Sequence, residues 1–106
     1  MARLKIFWTS TAVKQRNHIF NYWNERNKST TYSKKLNDKV SERIKLLKVY
    51  PQMGKKTEVR NTRAISLGPY SILYRKVKSN IIITGFWDNR QNPVKLIEFL
   101  KNKKIF

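Results

Sequence analysis

The run RAISLGPYSILY, residues 63–74, contains the pattern that decides the fold of this chain. On both sides of Gly68-Pro69, apolar residues alternate with small or polar ones, which is typical of strands that each bury one face. A Gly-Pro pair is a turn signal, and so short a connection makes neighbouring strands pair antiparallel. We therefore predict a hairpin here, with Ile65, Leu67 and Ile72 among its inward-facing residues.

The pattern extends into a third strand. Ser79-Asn80 is the next turn signal, and the segment 81–87, IIITGFW, is almost entirely apolar. A strand that is apolar on both faces is typical of the interior of a sheet. Residues 63–87 thus predict a three-stranded antiparallel meander whose last strand is central.

A strand and a helix are expected to open the chain. Leu4, Ile6 and Trp8 occupy alternate positions, which indicates a strand with one buried face. Thr9 or Ser10 then offers an N-cap. Behind it, residues at helical spacing continue the helix to about Arg26, where Asn27 can close it; the apolar ones are Ala12, Ile19, Phe20 and Trp23.

A second helix is indicated more clearly. After the polar stretch 28–31, apolar residues step by four, four, four and three, at Tyr32, Leu36, Val40, Ile44 and Leu47. Pro51 and Gly54 end this helix ahead of a basic loop that contains Lys55, Lys56 and Arg60.

The last element expected is a short C-terminal helix. Asn92 and Pro93 suit an N-cap and a first helical residue, and Val94, Ile97 and Leu100 follow at helical spacing. The fold class is therefore α+β in a single domain, residues 1–106: strand, helix, helix, three-stranded antiparallel meander and short C-terminal helix around an antiparallel sheet.

Composition limits the classes of function. The chain has 106 residues, 40% of them hydrophobic and 12% aromatic, which is enough for one packed core. It has no cysteine, which excludes disulfides and thiolate chemistry and favours a reducing compartment. No apolar run has the length of a signal peptide or of a membrane span, so we expect a cytoplasmic protein without membrane partners.

The net charge is the strongest compositional signal. Lys and Arg number 24 against 6 Asp and Glu, giving +18. Such an excess repels itself, and its commonest use is to neutralise the phosphates of nucleic acid. An AT-rich genome that favours Lys and Asn is the alternative origin, and an acidic protein is the alternative partner. Lys55, Lys56 and Arg60 are our candidates for nucleic-acid binding.

Residues for acid–base or metal chemistry are scarce. His18 lies among polar neighbours of the first helix, without the clustered ligands that a metal needs, so we expect no metal and no cofactor. Three carboxylates fall on helix faces, where solvated ion pairs are their usual role. Glu58 in the basic loop and Asp88 after the last strand remain as candidate acids or bases, and a structural hydrogen bond is the simpler role for Asp88.

Arg63 is the most informative charged residue. Alternation places it on the same face as Ile65 and Leu67, where a charge needs a reason. Its stem can cover apolar surface while its head reaches water, or its guanidinium can clamp a phosphate with two hydrogen bonds. Arg90, after the last strand, is expected to close on the same cleft. Arg63 and Arg90 are the candidate catalytic residues.

The order of these elements resembles the RelE/ParE superfamily of toxins from bacterial type II toxin–antitoxin modules, over residues 4–93. Four pieces carry the resemblance: the opening strand leading into Ala12, the turn 50–54 (YPQMG), the block 62–75 (TRAISLGPYSILYR) and the ending 86–93 (FWDNRQNP).

This resemblance implies one of two activities. RelE-like members cut mRNA in the ribosomal A site without a metal, whereas ParE-like members poison DNA gyrase, and a cognate antitoxin holds both inactive. Arg63 matches the strand arginine that clamps phosphate in YoeB-like members, and Arg90 lies near an arginine that RelE-like members carry.

Other positions depart from the mRNA-cutting pattern. Met53 stands where YoeB-like members have a glutamate base, Ser71 replaces a RelE-type arginine, and the last strand ends without the histidine and tyrosine that act as acid and base. Lys55, Lys56 and Glu58 are the candidates to replace them.

From sequence alone, the first expectation is a ribosome-dependent mRNA endonuclease, mainly because of the charge. A non-enzymatic gyrase poison is the second, and an inert basic RNA-binding module the third. The expected partners are an acidic antitoxin and either the ribosome with its mRNA or DNA gyrase.

Overall fold

A computed structural model describes residues 4–90 of the 106-residue chain. The predicted C-terminal helix, at Asn92 to Leu100, lies outside the described residues. The elements are, in chain order, β1 (Lys5–Trp8), α1 (Ser10–Asn27), α2 (Thr31–Val49), β2 (Lys55–Lys56), β3 (Arg63–Leu67), β4 (Tyr70–Val77) and β5 (Asn80–Asp88).

The five strands form one sheet in the order β1-β5-β4-β3-β2. The predicted meander is confirmed, since β3 pairs antiparallel with β4 and β4 with β5. The expectation of a wholly antiparallel sheet is wrong, because β1 pairs parallel with β5. The middle strand is β4, and β5 is the interior strand beside it.

Strand β2 is an element that the sequence did not predict. Lys55 and Lys56 were expected in a loop, but they pair antiparallel with Ala64 and Arg63 of β3. Both lysines are exposed, and two residues carry no periodicity. The pairing depends on backbone hydrogen bonds to β3, which no side-chain pattern reveals.

Both helices begin and end close to the predicted positions. The Thr9 hydroxyl caps α1 by accepting a hydrogen bond of 3.1 Å from the Ala12 N–H, and Lys28 closes the helix in the left-handed conformation. Helix α2 buries Leu36, Val40 and Leu47, whereas Tyr32 stays 36% exposed. Neither helix has the combination of length and apolar character that crossing a bilayer requires.

One core lies between the helices and one face of the sheet. Its buried residues are Ala12, Leu36, Val40 and Leu47 from the helices and Ile65, Leu67, Tyr70, Ile72, Tyr74, Ile81, Ile83 and Phe86 from the strands. The exposed face of each helix carries most of its charge, as an amphipathic helix on a sheet requires.

A β-bulge decides which residues of the segment 81–87 face the helices. Tyr74 pairs with Ile83 but Leu73 pairs with Gly85, so the strand contains one extra residue, Thr84. The inward-facing positions therefore change from odd, at Ile81 and Ile83, to even, at Phe86. Ile82 and Trp87 face the opposite side of the sheet, where they are half-buried.

Two side chains of the sheet hold the turn after α2, residues 51–54. The Tyr74 hydroxyl donates to the Pro51 carbonyl at 2.8 Å and accepts from the Gly54 N–H at 2.9 Å. Arg63 Nη1 donates to the Gly54 carbonyl at 2.8 Å and to the Gln52 carbonyl at 3.3 Å. A Cβ on Gly54 would lie 2.7 Å from the Tyr74 oxygen, so the approach requires glycine. We call these four hydrogen bonds the turn anchor.

The turn anchor generates a prediction about stability. Tyr74→Phe keeps the buried ring but removes the hydroxyl, leaving the Gly54 N–H and the Pro51 carbonyl without that partner. We expect a loss of about 1–3 kcal/mol in the free energy of unfolding, measured by urea denaturation. Tyr50→Phe is the matched control: Tyr50 is 60% exposed, so loss of its hydroxyl should leave the free energy of unfolding almost unchanged. Equal stabilities of the two variants would contradict the anchor.

A second prediction concerns alkaline pH. Burial first, and then the neighbouring Tyr32 hydroxyl, raise the pKa of Tyr70 to about 12. Below pH 10 both folded and unfolded chains keep this proton, whereas between about pH 10 and 12 only the folded chain does. The contribution of Tyr70 to stability is therefore intact below pH 10 and is lost as the pH rises toward 12, by at most about 1.4 kcal/mol per pH unit.

Tyr70→Phe tests this dependence. The variant loses the hydrogen bond of 2.8 Å from the Trp23 indole, so it should be less stable at pH 7. Its stability should, however, fall less steeply than that of the parent between pH 10 and 11.5 in urea titrations. Lysine deprotonation affects both proteins alike, so parallel pH profiles would show that Tyr70 does not carry the effect.

Candidate functional site

A basic cleft opens where the sheet extends beyond the helices. It lies between the turn 51–54, the loop 57–62 and the adjoining strands, and has a volume of about 410 Å³. The residues that line it are Pro51, Gln52, Lys56, Thr57, Val59, Arg60, Asn61, Thr62, Arg63, Tyr74 and Lys76. Four of these described residues are cationic and none is acidic.

The sheet register brings three of the cations together. Lys56 is paired with Arg63, and Arg63 with Tyr74, so these side chains share one face of the sheet. Lys76 lies two residues beyond Tyr74 on β4 and therefore faces the same way. The apolar face of the sheet thus becomes cationic at this corner.

Arg60 comes from a loop that is closed by its own hydrogen bonds. The Thr57 N–H and hydroxyl both donate to the Thr62 carbonyl, at 3.0 and 2.9 Å, and the Thr62 N–H donates to the Val59 carbonyl at 3.1 Å. Asn61 adopts a left-handed conformation with φ 58°, which asparagine tolerates better than most residues. The loop is therefore an ordered turn, held by its own hydrogen bonds, that places Arg60 at the cleft.

Arg63 occupies the position that its alternation predicted. It is partly buried on the core-facing side and lines the cleft. Its Nη1 belongs to the turn anchor, and this attachment to the turn backbone is a structural role that the sequence analysis did not foresee. The anchor uses one of the three guanidinium nitrogens.

The three candidate nucleic-acid-binding residues do not form one set. Lys56 and Arg60 line the cleft, but Lys55 is paired with Ala64 and lies on the opposite face of the sheet. Lys76 takes its place in the cleft and was missed by the sequence analysis. The signal was available, since Lys76 continues the alternation of Ile72 and Tyr74 on one strand.

Arg90 does not reach this cleft, contrary to expectation. Arg63 is paired with Tyr74 of β4. Asp88, the last residue of β5, is paired with Tyr70, four residues from Tyr74 along β4. This separation is about 13 Å at the rise of a strand. Arg90 follows that strand end and lines a second cleft of about 540 Å³ between α1 and β5. The two arginines are therefore at opposite ends of the meander.

The partner of Arg90 is Asp88. Arg90 Nη2 lies 2.6 Å from Asp88 Oδ2, and both the backbone N–H and the Nε of Arg90 donate to Oδ1 at 2.9 Å. These hydrogen bonds from Arg90 hold the pKa of Asp88 below its usual range. Asp88 is thus a fixed carboxylate, with the structural hydrogen bonds expected as its simpler role. His18 lies on the rim of the same second cleft.

Groups for proton transfer are scarce around the basic cleft. Glu58 is exposed in the loop 57–62 and is not among the residues that line the cleft. The Tyr74 hydroxyl is committed to the turn anchor, and burial raises its pKa. Within residues 4–90 no three His, Cys, Asp or Glu side chains are grouped to hold a metal.

Comparisons with known proteins agree with this fold. A family model described as the ParE toxin of the type II toxin–antitoxin system parDE matches residues 6–93. Among solved structures, the chromosomal ParDE toxin–antitoxin system from P. aeruginosa superposes with a TM-score of 0.69 at 20% identity, covering 79% of this chain and 94% of that chain. At this identity the superposition shows a shared fold. No curated protein matches the chain.

The family model covers both helices and the whole meander, together with the turn anchor and the basic cleft. The chain therefore belongs to the ParE toxin family of type II toxin–antitoxin systems.

Proposed function

We propose that this toxin acts in the cytoplasm by binding DNA gyrase, without catalysing a reaction, and that a cognate acidic antitoxin holds it inactive. The observation that carries the proposal is the chemistry of the basic cleft, where four cations converge and no described acid or base accompanies them. Membership of the ParE family favours the same target, because ParE-like toxins are gyrase poisons.

Metal-free RNA cleavage would need more than cations. The attacking 2'-hydroxyl needs a base, the leaving oxygen needs an acid, and the phosphorane needs positive charge. The cleft supplies only the last of these from its described residues. Glu58 lies outside the lining, and Asp88 is bound by Arg90 in another cleft. Cleavage of mRNA, our first expectation from the sequence, is therefore the weaker hypothesis.

An acidic antitoxin follows from the electrostatics of the chain. The net charge is +18, since 24 Lys and Arg outnumber 6 Asp and Glu, and one of these carboxylates, that of Asp88, is paired with Arg90. Most of the positive charge therefore has no carboxylate of the same chain beside it. A negatively charged partner would relieve the repulsion and neutralise the surface that meets the target.

The expected outcome of expression in bacteria is growth arrest through gyrase. Induction of the chain alone should stop growth and produce gyrase-linked DNA breaks, while primer extension should find cellular mRNA intact. Co-expression of the adjacent gene is the control and should restore growth. Codon-specific cuts in mRNA without DNA breaks would show that the protein is an mRNA-cutting toxin. Unchanged growth in several hosts would show that it is not a toxin.

Arg63→Ala separates a structural from a catalytic arginine. In the proposed function Arg63 holds the turn 51–54, so its loss should lower the free energy of unfolding by about 1–2 kcal/mol and weaken toxicity through the folded population. Toxicity should then recover when cells are grown at a lower temperature. Arg26→Ala is the matched control, because that arginine is exposed on α1 and lies outside both the turn anchor and the basic cleft.

A catalytic Arg63 would give a different result. The variant would keep the thermal stability of the parent and lose toxicity at every temperature, since a positioned charge-stabilising group is commonly worth about 10²–10³ in rate. Thermal melts therefore test the structural role: a melting temperature clearly below that of the parent supports the hold of Arg63 on the turn, and an unchanged one contradicts it.

A further inference from the structure

We infer that the basic cleft binds the sugar–phosphate backbone of duplex DNA. The inference deepens the proposed function, on which it rests for the choice of DNA, because the substrate of gyrase is a DNA duplex. It concerns a contact between the toxin and the nucleic acid, in addition to any contact with the gyrase protein.

The arrangement of charge is the first argument. Lys56, Arg63 and Lys76 lie on one face of three neighbouring strands, and Arg60 faces them from the loop 57–62. Strand spacing and rise place the Cα atoms of these three strand residues within roughly 10–12 Å of one another. One strand of duplex DNA carries a phosphate about every 3.4 Å along the axis, so the cluster can meet about three of them.

The absence of a carboxylate from the described lining is the second argument. Four cations that converge without a counter-charge repel one another, and the repulsion is strongest where the surface is concave. A genome rich in Lys codons explains scattered lysines, but it does not explain two arginines and two lysines collected in one cleft. A bound polyanion offsets the repulsion and releases counterions.

The rigidity of the walls is the third argument. The turn anchor fixes one wall, and the hydrogen bonds of the loop 57–62 fix the other. Lys76 is held as well, since its Nζ donates to the Lys78 carbonyl at 3.0 Å and retains two further protons for a ligand. A cleft that is already formed loses little conformational entropy when a stiff duplex binds.

Competing surfaces are less suitable for a phosphate backbone. The second cleft contains Asp88, whose carboxylate is bound to Arg90, and it is lined by aromatic side chains such as Trp23 and Trp87. Lys39 and Arg43 of α2 line a third cleft, of about 380 Å³, but the carboxylate of Glu42 lines it as well. The basic cleft alone among these combines concavity with uncompensated positive charge.

The test compares salt dependence in two variants of equal charge. The cleft variant combines Lys56→Ala, Arg60→Ala and Lys76→Ala. The α2 variant replaces three lysines of that helix by alanine: Lys34, Lys35 and Lys39. These lie about 15 Å or more from the end of α2 that leads into the turn 51–54. All six side chains are exposed, so both variants should fold, which thermal melts verify. Arg63 is left in place because it belongs to the turn anchor.

Binding is measured by fluorescence anisotropy with a labelled 20-base-pair DNA duplex and with RNA of the same sequence, between 50 and 200 mM salt. With three to four phosphate contacts, the affinity of the parent and of the α2 variant for DNA should fall about 40-fold to 150-fold over this range. The cleft variant, with one phosphate contact left, should bind DNA more weakly, and its affinity should fall only about threefold to fourfold over the same salt range.

Three outcomes would overturn the inference. Equal salt dependence of the two variants would mean that DNA senses the total charge of the chain and not the cleft. Binding of RNA in clear preference to DNA would assign the cleft to a ribosomal target. Absence of measurable DNA binding by the parent would leave the cleft to a protein partner. The assay contains no gyrase, so these failures are distinct from failure of the gyrase proposal in the growth experiment.

Discussion

The constraint on which the rest of this structure depends is the apolar face that the meander β3–β4–β5 turns toward the helices. That face must be covered, and helices α1 and α2 cover it from Ile65 and Leu67 across to Phe86. The bulge at Thr84 keeps the face continuous, because without it Phe86 would face away from Ile81 and Ile83. The basic cleft lies where this coverage ends.

The basic cleft is a direct result of that boundary. Along one face, the residues change from apolar to cationic as the sheet passes beyond the helices, and Tyr74 stands at the change. Its ring is buried in the core, whereas its hydroxyl fastens the turn 51–54 to the sheet with the help of Arg63. The residue that completes the core thus also shapes the wall of the candidate site. Stability and the shape of the cleft are coupled here, since loosening the turn changes the cleft.

The charge of the chain has several uses. Some arginines pack on aromatic rings, as Arg16 does on Trp8 with its Cζ 4.8 Å from the ring centroid, and Arg90 is paired with Asp88. The cleft cations differ, because no described carboxylate accompanies them. Their arrangement suits the holding of a polyanion better than the chemistry of cutting one, since cleavage also needs a positioned acid and base. The ParE family, with a target that is bound and not cleaved, fits this division.

The sequence by itself determined the fold class, both helices, the meander and the inward orientation of Arg63, because amphipathic periods and turn signals are local properties of the chain. It also determined that the protein is a strong polycation. Only the tertiary structure decided that β1 runs parallel to β5, that Lys55–Lys56 forms an edge strand, and that Arg63 and Arg90 are far apart. Partners of a strand and distances between strand ends depend on register between segments remote in sequence. For the same reason the cleft contains Lys76, which was not expected there, and lacks Lys55, which was. A shift of one residue in register decides which face of a sheet a side chain occupies.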